Sequence, residues 1–211
     1  MEKILVISPH TDDVELACGG TIAKFIKQSK IVYYVAFSDC QDTLLGKFPK
    51  ETLRKECKKA TRTLGIQNKN CFIFNFTNKH FYKESRQIFD KLEEFKNLIK
   101  PDLVLIPSLS DTHGDHGIVN RQAITVFRRT TSIIAYEQPW SNIGFSPFSF
   151  VELSEEDMKK KYRALKCYQT QHYFKRSYFD KDFIYGWARM RGMQINAKYA
   201  EGFEVIKYII R

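Results

Sequence analysis

Two short segments of the sequence concentrate histidine and aspartate residues. The first is Ser-Pro-His-Thr-Asp-Asp-Val-Glu at residues 8–15, and the second is Ser-Asp-Thr-His-Gly-Asp-His at residues 110–116. Neutral imidazole and carboxylate groups bind zinc and several other transition metals. The three-position spacing of His10 and Asp13 across a predicted turn lets both side chains converge on one ion. Together the segments hold three of the five histidines of the chain, which indicates a metal site.

The two segments contain more candidate ligands than a catalytic metal site requires. Structural zinc sites are usually closed by four protein ligands and are often rich in cysteine, whereas catalytic sites keep one position open for water. The five cysteines here are scattered and form no Cys-x-x-Cys pair, so a thiolate zinc site is not indicated. Helix N-capping would account for some of the acids in each segment. It does not account for the histidines.

Each segment follows an apolar run that is typical of a buried strand. Residues 4–7 precede the first segment, and residues 103–106 precede the second. Short apolar runs between polar residues favour strands that are buried on both faces. In open α/β sheets, ligands bind at the carboxyl ends of the strands. We therefore predict that both segments lie at one edge of a sheet and form one site.

Strands and helices alternate along the rest of the sequence. Further strands are predicted at residues 31–37, 132–136 and 204–210, and helices at residues 16–27, 50–64, 84–100 and 154–167, with a loop-rich stretch at 137–150. Gly65 and Pro101 stand where two of these helices should end. The alternation predicts a Rossmann-like three-layer α/β sandwich with a mostly parallel sheet. Nothing in the sequence divides residues 1–211, so we expect a single domain.

The composition is that of a globular protein with its own core. The chain has 211 residues, of which 43% are hydrophobic and 27% charged, enough to bury a core without a disulfide. The apolar run near the N-terminus is too short for a signal peptide or a membrane span, so we expect a cytoplasmic protein that does not contact membranes. The net charge is +10, but the basic residues are interleaved with acids, which favours an anionic small substrate over nucleic acid.

The two motifs resemble those of the PIG-L/LmbE-type N-acetylglucosaminyl deacetylase family. The first family motif, His-Pro-Asp-Asp-x-Glu, stands here as His-Thr-Asp-Asp-Val-Glu at residues 10–15 and continues into Leu-Ala-Cys-Gly-Gly-Thr at residues 16–21. The second, His-x-Asp-His, stands as His-Gly-Asp-His at residues 113–116. Thr11 replaces the usual proline, which removes a fixed φ and predicts a looser turn, but removes no ligand. Further matches extend the resemblance over essentially the whole chain.

The resemblance implies roles for residues of both motifs and for one arginine. These are the metal ligands His10, Asp13 and His116, the general base Asp12, the acid His113 with Asp115 orienting it, and the substrate-contacting Arg54. It implies Zn²⁺ as the cofactor, with Fe²⁺ or another divalent transition metal as the alternative. The implied reaction is zinc-dependent hydrolysis of an N-acyl, in particular N-acetyl, amide on an amino-sugar-containing small molecule. Aromatic residues at 136–148 suit a sugar ring or a contact between copies, which leaves a homo-oligomer open.

Two other functions stay open from the sequence alone. A metal-dependent phosphoesterase could use the same ligands with an arginine, although two-metal phosphatases usually need more bridging carboxylates. A non-catalytic sugar-binding module of the same fold is the other alternative, and the intact ligands and base argue against it. A nucleotide-binding loop is not indicated, because Gly19 and Gly20 do not form Gly-x-Gly-x-x-Gly.

Overall fold

The fold is built on one sheet with helices between its strands. A computed structural model describes residues 1–44 and 46–210. Its strands are β1 Lys3–His10, β2 Ile31–Ser38, β3 Cys71–Ile73, β4 Leu103–Pro107, β5 Ser132–Tyr136, β6 Ser149–Leu153 and β7 Tyr199–Lys207. Its α-helices are α1 Asp13–Lys27, α2 Thr52–Leu64, α3 Ser85–Ile99, α4 Gly114–Phe127, α5 Glu155–Leu165, α6 Gln169–Tyr173 and α7 Lys181–Met193. Short 3₁₀ helices lie at Gln41–Leu44, Asn68–Asn70 and Ser177–Phe179.

The strands of the described residues form a seven-stranded sheet in the order β3-β2-β1-β4-β5-β7-β6. Neighbouring strands from β3 to β5 run parallel, whereas β7 runs antiparallel to both β5 and β6. In register, Leu5 of β1 lies beside Tyr33 of β2 and Val104 of β4. The carboxyl ends of β1, β4 and β5 are therefore neighbours at one edge. The prediction of a mostly parallel sheet is confirmed.

Helices cover both faces of the sheet and complete the predicted three-layer sandwich. Because successive side chains of a strand point to opposite faces, Ile4 and Val6 enter the core beneath α1, α2, α5 and α7. Leu5 and Ile7 enter the core beneath α3 and α4. All four side chains are at most 1% exposed, which explains why β1 reads as a continuous apolar run. In the part of the chain that the structure describes, no helix is long and apolar enough to cross a bilayer.

A buried ion pair joins three elements on the α1 side of the sheet. Lys161 of α5 is 1% exposed, and its Nζ donates to Glu201 Oε1 of β7 at 2.7 Å. The Glu201 carboxylate also accepts hydrogen bonds from the backbone N–H groups of Gly20 at 3.0 Å and Thr21 at 2.6 Å in α1. Each buried charge is therefore paired and hydrogen-bonded, which is the condition for keeping it in a core.

The predicted elements are present, with shifted ends and some omissions. β1 extends to His10 and α1 begins at Asp13, so the first motif itself forms the strand end and the helix start. The C-terminal strand is Tyr199–Lys207 and not residues 204–210, because Glu201 and Gly202 interrupt the apolar run and conceal its first half. The sequence did not predict β3, β6, α6 or α7.

Candidate active site

The two motifs meet at the carboxyl edge of the sheet. β1 ends at His10 and its parallel neighbour β4 ends at Pro107, while α1 and α4 begin at Asp13 and Gly114. Each motif thus spans a strand-to-helix turn, and the two turns lie side by side. In consequence His10 and His116, which are 106 positions apart, approach within 3.2 Å.

Three ligand atoms form a small triangle at this edge. His10 Nδ1 lies 3.2 Å from His116 Nε2, and Asp13 Oδ2 lies 3.3 Å from each of these nitrogens. Three ligand atoms that lie this close together could contact one ion at the same time. All three residues are more than nine-tenths buried. His10, Asp13 and His116 therefore fit a metal ion in the combination that the resemblance implies.

His113 lies next to this triangle and offers a fourth nitrogen. Its ring meets that of His10 edge-on with centroids 4.8 Å apart, and stacks on that of His116 at 4.6 Å. One ligand atom from each of these three histidines lies within 4.8 Å of the others. The triangle that includes Asp13 has shorter edges of 3.2–3.3 Å. The shorter edges favour that set for one ion and leave His113 outside it.

Each histidine of the triangle contacts a carboxylate through its second ring nitrogen. His10 Nε2 lies 3.0 Å from Asp115 Oδ2, and His116 Nδ1 lies 2.6 Å from Asp111 Oδ2. Such pairs fix the orientation of the ring and make its ligating nitrogen more basic. Asp111 lies in the second segment, two positions before the second motif. No role was predicted for it, because its partner depends on the direction of the His116 ring.

The Asp115 carboxylate has a different partner from the predicted one. Besides His10, it accepts hydrogen bonds from the backbone N–H groups of Lys79 at 2.6 Å and Phe81 at 3.2 Å. Only the backbone N–H of Asp115 reaches His113, donating to Nδ1 at 3.3 Å. The start of α4 places this carboxylate against His10 of β1, and its role in orienting His113 stays a prediction. The carboxylate supports a ligand of the triangle.

Gln138 completes the surroundings of Asp13 and has no local sequence signal. Its Nε2 donates to Asp13 Oδ1 at 3.0 Å, which leaves Oδ2 for the triangle. The preceding residue, Glu137, is buried and accepts hydrogen bonds from Arg191 at 2.5 and 2.9 Å and from Trp187 Nε1 at 2.8 Å. These contacts to α7 hold the loop after β5 and thereby position Gln138.

Opposite charges shift the pKa values of the ligand residues. Burial alone would lower the pKa of His116, but the charge of Asp13 and the hydrogen bond to Asp111 raise it to about 10. Burial would raise the pKa of Asp13, but the charge of His116 and the hydrogen bond from His10 hold it well below its usual range. A cation that binds here must therefore displace a proton from His116.

Asp12 lies in the turn beside the triangle and has the properties of a base. Its φ is 91°, in the left-handed region that residues other than glycine rarely adopt and that recurs at functional sites. Its side chain lines the same cavity as the triangle. Burial, together with the negative charges of Asp13 and Glu15, raises the pKa of Asp12 well above its usual value.

His113 lines the cavity beside the triangle, and its surroundings affect its protonation. Because its Nδ1 accepts the hydrogen bond from the Asp115 backbone, the neutral ring carries its proton on Nε2. Burial and the positive charges of His116 and His10 lower the pKa of His113. A lowered pKa makes the protonated form a stronger acid, which suits a proton donor.

Thr11, which departs from the family motif, is tied to the sheet. Its backbone N–H donates to the Ser38 carbonyl at 3.1 Å, a hydrogen bond that proline could not make. The looser turn predicted from the loss of proline is therefore not what the structure shows. Thr11 and Asn78 are among the residues that line the cavity. Thr11 Oγ1 and Asn78 Oδ1 are buried without hydrogen-bond partners among the described residues.

The triangle opens into a cavity of about 340 Å³. Trp140, from the loop after β5, and Tyr178, from the 3₁₀ helix after α6, form part of its wall with their rings stacked 4.4 Å apart at 17°. Arg176 lies on the wall as well. A volume of this size, with aromatic rings and a few polar groups, is typical of a small-molecule site.

Arg54, predicted to contact the substrate, does not line this cavity. Its Nη2 and Nε bind Asp39 Oδ2 at 2.7 and 3.1 Å. Its Nη1 donates to the carbonyl of Ile73 at 2.6 Å, and Nη2 donates to that of Phe74 at 3.2 Å. The guanidinium thus joins α2 to the ends of β2 and β3, and its contact with a substrate stays a prediction. The sequence could not show that Asp39 occupies it.

Comparison with known proteins supports this assignment of the motifs. The family model for PIG-L, described as GlcNAc-PI de-N-acetylase, matches residues 5–127, which include both motifs. YaiS of Escherichia coli (strain K12), an uncharacterised deacetylase, is 26% identical over 172 residues, covering 79% of this chain and 90% of that protein. The diacetylchitobiose deacetylase of Thermococcus kodakarensis is 26% identical over an alignment of 238 residues, covering 98% of this chain and 84% of that protein.

Several solved structures share the fold. A conserved protein from Thermus thermophilus superposes with a TM-score of 0.81 at 22% identity, covering 100% of this chain and 97% of that one. The N,N'-diacetylchitobiose deacetylase of Pyrococcus horikoshii gives 0.77 at 21% identity, with coverages of 97% and 84%. A 4-carboxy-2-hydroxymuconate hydratase from a Pseudomonas gives 0.81 at 21% identity, with coverages of 100% and 98%. Since a hydratase shares this fold, the fold alone does not determine the reaction, which depends on the residues of the site.

Proposed function

This chain belongs to the PIG-L family, described as GlcNAc-PI de-N-acetylase, and from that premise we propose that it is a zinc-dependent hydrolase of an N-acyl amide on a small molecule that contains an amino sugar. An N-acetyl group is the expected acyl group, released as acetate together with the free amine. The observation that carries this proposal is the triangle of His10, Asp13 and His116 with Asp12 beside it.

The three ligand atoms suit a catalytic rather than a structural ion. Three protein ligands leave a coordination position open, as catalytic zinc sites do. When bound, the metal supplies Lewis acidity, which lowers the pKa of water from about 15.7 to about 7 and polarises an amide carbonyl. Two nitrogens and one carboxylate also suit Fe²⁺, so zinc is proposed as the first metal to test.

Asp12 is proposed to accept the proton of the attacking water. Its carboxylate lines the cavity next to Asp13, and its raised pKa makes the ionised form a stronger base than an ordinary aspartate. In this proposal Asp13 stays ionised as a metal ligand, while the adjacent Asp12 exchanges a proton with the water.

His113 is proposed to protonate the departing amine nitrogen. An amide nitrogen is a poor leaving group unless it gains a proton as the carbon–nitrogen bond breaks, and a positioned acid typically contributes about 10²–10⁴-fold. The His113 ring lies against His10 and His116 and lines the cavity, so it faces the place where an amide would bind.

An amino-sugar substrate is supported by the relatives and by the cavity wall. The diacetylchitobiose deacetylase of Thermococcus kodakarensis aligns with nearly the whole chain. The Trp140 and Tyr178 rings offer an aromatic surface on which the apolar face of a sugar ring can pack.

The metal content of purified protein tests the proposal. We expect about one zinc or iron ion per chain in the parent, lost in His10→Ala and in His116→Ala and kept in His80→Ala, whose side chain lies outside the triangle. The metal-loaded parent should release amine from N-acetylglucosamine or N,N'-diacetylchitobiose, and the two metal-free variants should not. A folded parent that binds no metal when it is resupplied would overturn the proposal.

A further inference from the structure

Arg176 is a solvent-exposed cation on the cavity wall. It is the one lysine or arginine among the described residues that line this cavity. In the part of the chain that the structure describes, no hydrogen bond or ion pair to its guanidinium is found. Arg54 and Arg191, in contrast, are engaged by the carboxylates of Asp39 and Glu137. Arg176 is therefore available to a ligand in a way that these two arginines are not.

The backbone around Arg176 is held by contacts to the core. The Arg176 N–H donates to the Gln171 carbonyl at 3.2 Å, and its own carbonyl accepts from the N–H of Phe179, which is 1% exposed, at 3.0 Å. In α6, Thr170 donates to the Glu56 carboxylate through both its N–H at 3.0 Å and its hydroxyl at 2.6 Å. The position of the arginine on the wall is thus a property of the fold and not of a free loop.

We propose that Arg176 binds an anionic group of the substrate, a carboxylate or a phosphate on the aglycone of the amino sugar. A guanidinium presents paired N–H donors that match two oxygens of such a group. The sugar ring would pack on the Trp140 and Tyr178 rings, and Tyr178 is only two positions from Arg176. This inference rests on the proposed function, because that function places the acyl amide at the metal triangle.

The shared cavity supports a substrate anion beside Arg176. Arg176, Asp12 and His113 line the same cavity, whose volume is about 340 Å³. A cavity of this size holds a small molecule, so one ligand can contact both the guanidinium and the residues of the triangle.

Binding of matched glucosamine derivatives to zinc-loaded protein tests the inference. The probes are methyl glucosaminide, which carries no acidic group, carboxymethyl glucosaminide, which carries a carboxylate, and glucosamine 1-phosphate. Isothermal titration would give their affinities for the parent, for Arg176→Gln, for Arg176→Lys and for Arg189→Gln. The last variant removes one charge from an exposed position on α7 and is the matched control. These free amines are not hydrolysed, so the readout does not depend on turnover.

We expect the parent to bind at least one anionic probe about tenfold or more tightly than the methyl glucosaminide. Arg176→Gln should abolish that preference, Arg176→Lys should keep part of it, and Arg189→Gln should keep all of it. The anion that is preferred identifies whether a carboxylate or a phosphate is the natural group. If the parent does not distinguish the probes, or if Arg176→Gln keeps the preference, the inference is overturned.

A parallel assay keeps the two proposals apart. The N-acetyl forms of the same three probes are incubated with the zinc-loaded parent, and release of the amine is measured. No release from any of them would contradict the deacetylase proposal, while the titrations would still decide whether Arg176 binds an anion. Release without an Arg176-dependent preference would support the deacetylase and overturn the anionic aglycone.

Discussion

Two neighbouring residues of the first motif have opposite protonation behaviour. The charge of His116 and the hydrogen bond from His10 hold the pKa of Asp13 low against its burial. For Asp12, loss of solvation and the negative charges of Asp13 and Glu15 act in the same direction, so its pKa rises. Titratable neighbours whose pKa values are driven apart by their surroundings commonly mark acid–base assignments. One carboxylate can thus remain a ligand while the next one exchanges protons.

Exchange of Asp12 for asparagine separates these two functions. We expect Asp12→Asn to lower turnover by about 10²–10⁴-fold, since asparagine cannot accept the proton of the attacking water. Bound metal should be unchanged, because Asp12 contributes no atom to the triangle. Asp13→Asn is the matched comparison and should lose both metal and turnover. Deacetylation kinetics and metal analysis on the same preparations check this, and turnover of Asp12→Asn near the parent rate would exclude Asp12 as the base.

Metal binding should release a proton from His116. Its folded-state pKa of about 10 lies above the usual value near 6.5, so metal-free protein gains stability from the protonated ring below pH 6.5 and loses it as the pH rises through about 10. At pH 7 zinc must displace that proton, so zinc affinity should rise with pH. Titration calorimetry in buffers of different ionisation enthalpy counts the released protons, and Asp111→Asn should release fewer.

The ligands and base could be proposed from the sequence, but several contacts around them could not. His10, Asp13 and His116 lie in motifs with recognisable residue types and spacing. Gln138 and Arg176 reach the site from loops after β5 and α6, and their neighbours in sequence carry no such pattern. The hydrogen-bond partner of a side chain also depends on the direction in which the side chain points. For that reason the carboxylate partners of the two ligand histidines could not be predicted from the sequence.

At the scale of elements, the predictable strands are those buried on both faces. β1, β2, β4 and β5 read as continuous apolar runs, because helices cover both sides of the sheet there. β3 has three residues, all only partly buried, and β6 is partly buried along most of its length, so neither gives a clear apolar run. α7 contains Gly186 and Gly192, which weaken its helical signal.

The two glycines of α7 should respond oppositely to substitution. A Cβ on Gly192 would lie 2.6 Å from the Ala197 carbonyl oxygen and 2.8 Å from the Tyr199 nitrogen, both backbone atoms. We expect Gly192→Ala to lower the free energy of unfolding by about 1–3 kcal/mol. Gly186 has open space around its Cβ position, so Gly186→Ala should raise the free energy of unfolding by about 0.5–1 kcal/mol. Urea denaturation measures the free energy of unfolding of both variants. Equal changes in the two variants would contradict close packing of α7 on β7.

At the scale of the whole molecule, the buried Lys161–Glu201 pair links segments that are far apart in sequence. Lys161→Met removes one charge and leaves the other buried, so we expect a loss of about 3–5 kcal/mol in the free energy of unfolding. Adding Glu201→Gln to that variant should recover part of the loss. Lys159→Met, at an exposed position of the same helix, should change stability by less than about 0.5 kcal/mol. Thermal and urea unfolding measure all three variants, and a small effect of Lys161→Met would show that the pair is dispensable.

The position of β7 has a consequence for how the protein is made. β7 pairs with β5 on one side and with β6 on the other, although it follows both in the chain. While a ribosome is still translating residues 199–207, β5 has an open edge and β6 has no strand to pair with. Unpaired edges of this kind attract other chains. The sheet can therefore be completed only after residues 199–207 have been synthesised, and until then these unpaired strands expose the nascent chain to aggregation.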